Sequence, residues 1–332
     1  TSRLEQVVAL GRQERWLVSP EELFTVQDEV LGSGSFGVVR NGWLHGSQVA
    51  VKTTKRAEEN GGAGHLLETA NECRILRHVR HPNIVLFHGA CVEPAEGEIM
   101  LVLEHVHGPD LYRYVTTHPE DTEIFDRFKL LLDVASALRY LHAQRPQIVH
   151  GDLKGTNILV EPGIPRAKLI DFGLSRLLTK HARPLGGSLA WMAPELICRP
   201  GSKPKPSADA FSFGRLVFMI IACQKPLQGL RGEAITSMAK TGISLPLAWQ
   251  EGRPLHAEGR RLSARLTDPA PECRPDMTAA HQEAGSWTLP GLAERMPGLA
   301  LARAAEEQRA ALRAAAAPLG EAAAPDAVEP RA

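Results

Sequence analysis

No stretch of this 332-residue chain stays apolar for long. The longest run, Leu216 to Cys223, falls far short of the roughly 20 residues that cross a bilayer, so no membrane span is expected. An excess of charge of one sign is also missing. Lys plus Arg and Asp plus Glu number 38 each, and a net charge of zero removes any global electrostatic argument for nucleic acid or an anionic membrane as partner. The five cysteines, at 73, 91, 198, 223 and 273, form no Cys-x-x-Cys pair and keep no regular spacing, so free thiols in a reducing, cytoplasmic setting are expected. The thirteen histidines offer two close pairs, His78-x-x-His81 and His105-x-His107, neither with further ligands at metal spacing, so no His/Cys metal centre is expected. No internal repeat is visible, which excludes solenoids and propellers. No signal peptide opens the chain, which begins with Thr1 and not Met, leaving room for a regulatory domain or partner missing from this chain.

What is present is ordinary globular composition, 43% hydrophobic and 23% charged, in two halves of different period. Residues 1–25 read as a helical or linking lead-in. From Phe24 to Val106 the apolar residues are mostly β-branched and come in short runs. Val38-Val39, Val49-Ala50-Val51, Ile84-Val85-Leu86 and Met100-Leu101-Val102-Leu103 read as strands. One helix, Glu68 to Val79, interrupts them and is stopped by Pro82. Beyond Gly108-Pro109, Phe125, Phe128, Leu131, Leu132, Ala135, Leu138 and Leu141 recur at three and four, the mark of a long amphipathic helix. Phe211 to Cys223 is apolar nearly all round, as in a helix buried at the centre of a lobe. Strands first and helices after give an α+β, two-lobed pattern. An Ala-rich helix is expected over residues 299–316, with a disordered end.

Chemistry concentrates in two places. Gly32-Ser33-Gly34-Ser35-Phe36-Gly37-Val38-Val39 is a Gly-x-Gly-x-x-Gly run, which lets backbone N–H groups approach phosphate oxygens. A dinucleotide-binding unit needs a helix directly after such glycines. Here Val38-Val39, a polar turn at Asn41 to Gly46, and Val49 to Lys52 predict a β-hairpin instead. A Gly-x-x-x-x-Gly-Lys-Ser/Thr loop is absent. Ala50 and Lys52 share one face of a strand, leaving room for a base beside a cation for phosphate. Such a lysine needs an anion to hold it. Glu72, on the half-buried face with Ile75 and Leu76, is favoured over Glu68, a solvated helix charge. The second place is His150-Gly151-Asp152-Leu153-Lys154-Gly155-Thr156-Asn157, followed by Asp171-Phe172-Gly173. One carboxylate to deprotonate an alcohol, a lysine to offset phosphate charge, and an amide with a second carboxylate for Mg²⁺ form a phosphoryl-transfer set.

At this point the chain resembles the eukaryotic protein kinase family over about residues 26–285. The resemblance rests on the glycine loop, Val49-Ala50-Val51-Lys52, His81-Pro82-Asn83, the catalytic loop, Asp171-Phe172-Gly173, Ala193-Pro194-Glu195, Asp209 to Gly214, and Arg274-Pro275, all in order. It implies a bilobal fold. A small antiparallel sheet with one helix would span 26–103, a hinge 104–107, and a larger helical lobe 108–290, with an Ala-rich tail over 291–332. ATP would meet Gly32, Gly34, Gly37, Val39, Ala50, Lys52, Glu104 and Val106. Lys52 would pair with Glu72, Asp152 would be the base assisted by Lys154, and Asn157 and Asp171 would bind Mg²⁺. Leu103 would be the gatekeeper, Glu195 would pair with Arg274, Asp209 would anchor the catalytic loop, and Leu76, Phe87, His150 and Phe172 would stack as a spine.

Lys154 is of the serine/threonine-specific type. The stretch from Gly186 to Glu195 is similar to the tyrosine-kinase-like branch, which mostly phosphorylates Ser and Thr of protein substrates; Ser188 would help shape the acceptor site. One position departs from the pattern. Gly151 stands where the family usually has an arginine that grips a phosphorylated activation loop. The implied enzyme is therefore active without phosphorylation of that loop, where Ser175, Thr179 and Ser188 are candidate sites, or is regulated elsewhere. The rival reading is a pseudokinase scaffold that binds ATP without efficient catalysis, which Gly151 and the weakly matching stretch from Gly232 to Leu266 favour slightly and the intact Lys52, Glu72, Asp152, Asn157 and Asp171 speak strongly against. A small-molecule kinase is disfavoured by Ala193-Pro194-Glu195 and the long segment from Leu174 to Met192.

Overall fold

Val49, Ala50, Val51 and Lys52 alternate in space as they do in sequence. They lie in β3 (Ser47–Thr53), at the centre of a five-stranded antiparallel sheet. Its other strands are β1 (Leu23–Gly34), β2 (Gly37–Leu44), β4 (Phe87–Glu93) and β5 (Glu98–Glu104), in the order β1-β2-β3-β5-β4. Val49 and Val51 enter a buried cluster with Val18 and Val102, which turns Ala50 and Lys52 to the opposite face. The β2–β3 turn is shorter than the sequence suggests. Asn41 to Leu44 continue β2, and only His45 and Gly46 turn, both left-handed with φ of 48° and 82°. Two left-handed residues match the right-handed twist of the flanking strands, so the hairpin closes in the minimum length.

The computed structural model describes residues 3–34, 37–53, 72–93, 98–117, 122–163, 165–172, 189–199, 202, 204–242 and 247–315. They fall into two compact units, Thr1–Trp287 and Thr288–Ala332. The lead-in forms α1 (Arg3–Gln13), after which the chain pairs with β4. The Val18 N–H donates to the Ala90 carbonyl at 2.9 Å and the Ala90 N–H to the Trp16 carbonyl at 3.0 Å, covering the otherwise open edge of the sheet.

Two local expectations are corrected. Ile84-Val85-Leu86 is not a strand, because its amides are used elsewhere. Ile84 donates to the His81 carbonyl, Val85 to the Leu169 carbonyl and Leu86 to the Glu104 carboxylate. The strand begins at Phe87. The helix expected from Glu68 to Val79 is helical over 72–76 (α2), with a turn at 77–78; 68–71 lie outside the described residues. The Val79 N–H closes on the Leu76 carbonyl three residues back, a tightened last turn ahead of Pro82.

The larger lobe contains α3 (Leu111–Thr116), α4 (Ile124–Ala143), β6 (Ile158–Glu161), β7 (Arg166–Leu169), α5 (Pro194–Cys198), α6 (Pro206–Ala222), α7 (Gly232–Thr241), α8 (His256–Leu266) and α9 (Met277–Gly285). On α4 the expected stripe is buried from Phe128 to Leu141, whereas Phe125, in the first turn, is half-buried. Helix α6 is buried on every side from Ala208 to Ile221 and packs against α4 and α8. It starts with Pro206, where a missing N–H costs nothing, and stops at the left-handed Cys223. A Cβ on Gly214 would lie 2.8 Å from Leu266 and Thr267, so glycine lets α8 approach this closely. The second unit, taken by itself, carries α10 (Leu292–Arg295) and the Ala-rich α11 (Pro297–Ala315), where the sequence predicts a helix over 299–316.

One α6 side chain runs against its surroundings. Arg215 is 5% exposed, its Nε and Nη1 have no hydrogen-bond partner among the described residues, and burial pushes its pKa down to about 10. Its guanidinium carbon sits 5.3 Å from the centre of the Phe211 ring, a cation–π contact that offsets part of the desolvation cost. Arg215→Met is therefore expected to stabilise the fold by about 1–3 kcal/mol, read as a higher denaturant midpoint at unchanged slope.

Candidate active site

The site is assembled around two buried carboxylates. The first is Asp209, in the opening turn of α6. It accepts the His150 N–H at 2.7 Å and the Gly151 N–H at 2.9 Å, and lies 2.9 Å from Nε2 of His142 in the last turn of α4. Burial works against its ionisation, but hydrogen bonding and charge from His142, with His150 and the Gly151 amide, outweigh it and hold the carboxyl below its usual range. Gly151 has a φ of 81°, so a residue without Cβ stands where the backbone must be left-handed. The next turn, Gly155–Asn157, is pressed onto α6. A Cβ on Gly155 would meet Met219 at 2.9 Å and Tyr112 at 3.0 Å.

This loop brings Asp152, Lys154 and Asn157 together. Lys154 Nζ is 2.5 Å from Asp152 Oδ2, and Asn157 Nδ2 donates to the Asp152 carbonyl at 2.8 Å and to Oδ2 at 3.0 Å. With Nδ2 engaged, the Asn157 amide oxygen accepts no hydrogen bond among the described residues. The β6–β7 hairpin then returns the chain to Asp171 and Phe172. His150 and Phe172 rings lie 5.1 Å apart, and Leu76 and Phe87 are buried with them.

The second carboxylate is Glu72 on α2, 1% exposed. It meets Lys52 Nζ at 2.6 Å through one oxygen and accepts the Phe172 N–H at 3.2 Å through the other. Lys52 also reaches Asp171 Oδ1 at 2.8 Å. Burial alone would lower the Lys52 pKa, yet Glu72 and Asp171 outweigh it and raise it, so the lysine stays an ammonium. Burial likewise pushes Glu72 up, against the pull of Lys52. Asp171 has a φ of 65°, a left-handed turn that marks a constrained backbone at this junction.

The glycine run is a β-hairpin with Gly32 opposite Val39 and Gly34 opposite Gly37, which excludes a helix after the glycines. Val39 in turn lies opposite Lys52, and Asn41 opposite Ala50, so the run and the lysine strand are neighbours. The Glu104 side chain bridges the Leu86 N–H at 3.0 Å and Lys168 of β7 at 2.5 Å, tying sheet to larger lobe. Val106 is buried, and His105 and His107 meet edge to face with ring centres 4.1 Å apart. His81 caps the His-Pro-Asn turn, its Nδ1 accepting the Asn83 N–H at 3.1 Å. Arg274 forks onto Glu195 with two 2.8 Å bonds, bracing α5 against α6. Ser35, Phe36, Glu68, Gly173, Ser175, Thr179 and Ser188 lie outside the described residues. Sequence reasoning missed His142 and Lys168; each is separated by more than 50 residues from its partner, and no local pattern marks either.

A two-lobed molecule with a glycine hairpin beside a lysine–carboxylate pair, and a braced Asp-x-Lys-x-x-Asn loop, holds the set of groups that phosphoryl transfer from a nucleotide uses. Residues 25–284 match the protein kinase domain, and the chain belongs to the protein kinase family. It is 37% identical over 203 residues to the serine/threonine-protein kinase CTR1 of Arabidopsis thaliana, covering 60% of this chain and 24% of that protein. It is 31% identical over 259 residues to the human mitogen-activated protein kinase kinase kinase 10, covering 75% of this chain and 26% of that protein. The chain thus spans about a quarter of the length of these relatives.

The Asp209 anchor has a measurable pH signature. With its pKa held below the ordinary 3.8, its contribution is complete above that value and is lost as pH falls through the lower folded-state pKa. Asp209→Asn is expected to lower Tm at pH 7 and to flatten the fall of Tm on acidification, as read by thermal melts taken stepwise to low pH.

Proposed function

We propose that this chain is an ATP-dependent protein serine/threonine kinase of signal transduction, acting in the cytoplasm and resembling the tyrosine-kinase-like branch. The observation that carries the reading is the joined pair of contacts at Lys52: Glu72 at 2.6 Å and Asp171 at 2.8 Å meet on one ammonium. A scaffold has no need to align these groups, and the family's catalysis requires them to be in place together. Among the described residues, no helix is long and apolar enough to cross a membrane.

Family membership implies ATP as substrate and Mg²⁺ dependence. The donors fit that ion, since the Asn157 amide oxygen and the Asp171 carboxylate are hard oxygen ligands on adjacent turns. When bound there, Mg²⁺ would neutralise charge on the phosphate oxygens. The chain's own groups do the rest. Gly32, Gly34 and Gly37 cover the phosphates. Ala50 leaves space for the base, with Val39 above it and the main chain of Glu104 and Val106 at its edge. Lys52 holds the α- and β-phosphates. Asp152 orients the Ser or Thr hydroxyl and takes its proton as the new O–P bond forms and the bond from the γ-phosphorus to ADP breaks. Lys154, beside Asp152, offsets charge on the phosphoryl group in transit. Asp152 borders a hollow shared with Trp191 and Met192, whose position is fixed in part by the Ser212 hydroxyl donating to the Trp191 carbonyl at 2.8 Å.

Gly151 has no side chain to grip a phosphorylated loop. The His150 and Gly151 N–H groups are both held by Asp209, which leaves the loop ordered without a grip at 151 and supports activity independent of activation-loop phosphorylation. The test is transfer of radiolabelled phosphate from ATP–Mg²⁺ to a generic basic protein, with Asp152→Asn alongside. Label on Ser or Thr is expected, with a loss of at least about 100-fold in the variant. Phosphatase treatment of the wild type is expected to leave the rate within about threefold. ATP binding without transfer by the wild type would replace this reading with the scaffold.

A further inference from the structure

Residues 3–18 lie outside the part of the chain that matches the protein kinase domain, yet they are fastened to the helix that carries Glu72. Glu14, just past α1, forms an ion pair with Arg77, in the turn that ends α2. Arg77 Nη1 donates to Glu14 Oε2, and the Trp16 indole N–H donates to the same oxygen at 3.0 Å. The carboxylate is thereby aimed by a ring that is itself pinned. Trp16 is 8% exposed, packs on Phe87 with ring centres 6.3 Å apart, and receives the Ala90 N–H on its carbonyl. The fit is close at both ends. A Cβ on Gly89 would come within 2.6 Å of the Trp16 carbonyl, and one on Gly11 within 3.0 Å of the Trp16 ring.

The other end of the link is equally constrained. The Arg77 side chain is 12% exposed, its Nε is buried without a hydrogen bond, and Glu14 is its one carboxylate partner among the described residues. The Arg77 N–H donates to the Cys73 carbonyl at 3.1 Å, so the residue continues the helical turn begun at Glu72. Five residues along a helix is about 7.5 Å of axis, short enough for α2 to move as one body. Without Glu14 the guanidinium, on a side chain 12% exposed, would have no carboxylate partner among the described residues. Moving α2 toward solvent would hydrate it, and that movement withdraws Glu72 from Lys52.

We propose that residues 3–18 form a positioning clamp. Glu14, oriented by Trp16, holds α2 through Arg77 at the depth where Glu72 reaches Lys52, and the clamp is the control point for activity in a chain whose Gly151 cannot read activation-loop phosphorylation. Glu14 and Arg77 are positioning residues, since neither touches the reacting groups. The proposal rests on the kinase reading for its activity arm only. Anything that engages the lead-in, a partner or a modification, would act on the Lys52–Glu72 pair without entering the cleft.

The test uses the full chain with Glu14→Gln, Arg77→Met and the double variant. It reads kcat, KM for the protein substrate, Tm, and hydrogen–deuterium exchange at residues 72–79. The clamp predicts a fall of about tenfold in kcat for Glu14→Gln at a KM within about twofold, as expected when a competent state is depopulated. It also predicts faster exchange at 72–79, and no further loss from Glu14→Gln in the Arg77→Met background. A kcat for Glu14→Gln within twofold of wild type, an equal loss in both backgrounds, or unchanged exchange overturns it. If the wild type transfers no phosphate, the kinase reading fails alone, and exchange at 72–79 across the same cycle still decides the clamp.

Discussion

One ammonium group organises this molecule. Lys52 on β3 is buried and would be costly there alone, so its charge must be met by charge brought from elsewhere in the chain. Glu72 arrives on α2 and Asp171 arrives 119 residues downstream, behind the β6–β7 hairpin. Each contact is short, and removing either leaves the others exposed to an unbalanced desolvation cost. The sheet, the helix beside it and the larger lobe are therefore placed by one electrostatic requirement. Glu72 extends it by accepting the Phe172 N–H, which ties the backbone next to Asp171 into the same knot.

Asp209 plays the corresponding part from below. It sits at the start of a helix buried on all sides, where α4 and α8 leave it no freedom to move. From that base it receives two successive loop amides and His142. Asp152 is presented on a backbone whose geometry is set by burial, with Lys154 and Asn157 folded back on its carboxylate. A loop so held does not need a side chain at 151 to order it. The left-handed φ at that position is one that glycine adopts without strain, so Gly151 suits the local backbone.

The upper knot is less self-sufficient. Helix α2 is short in its described part and is held from outside by Glu14 and Trp16 of the lead-in. The two anchors thus differ in kind: Asp209 is fixed by a core that forms with the fold, and Glu72 depends on a surface segment whose hold can change.

Much of this was legible from residue order. The alternation of Val49 to Lys52 showed which side chains share a face, the three-and-four spacing from Phe125 to Leu141 described α4, and the apolar wrap of Phe211 to Cys223 described a central helix. These are local periodicities, which backbone geometry translates directly into faces. The grouping of Asp152, Lys154 and Asn157 was legible for the same reason, since all three lie within one loop. Local reading went astray at Ile84-Val85-Leu86, whose β-branched content suits a strand but whose amides are taken by a carbonyl at 169 and a carboxylate at 104. It also overextended the turn at Asn41 to Gly46, where strand pairing with β3 continued through polar residues.

Sequence by itself determined most of the elements, their order, and which polar residues share one loop or one strand face. Only the tertiary structure decided which other charges meet: Lys52 with Asp171 as well as Glu72, Asp209 with His142, Glu104 with Lys168, and Glu14 with Arg77. The reason is physical. Periodicity is a property of neighbouring residues, whereas the pairing of buried charges is set by which distant surfaces are excluded from water together, and that is known only once the lobes have closed around them.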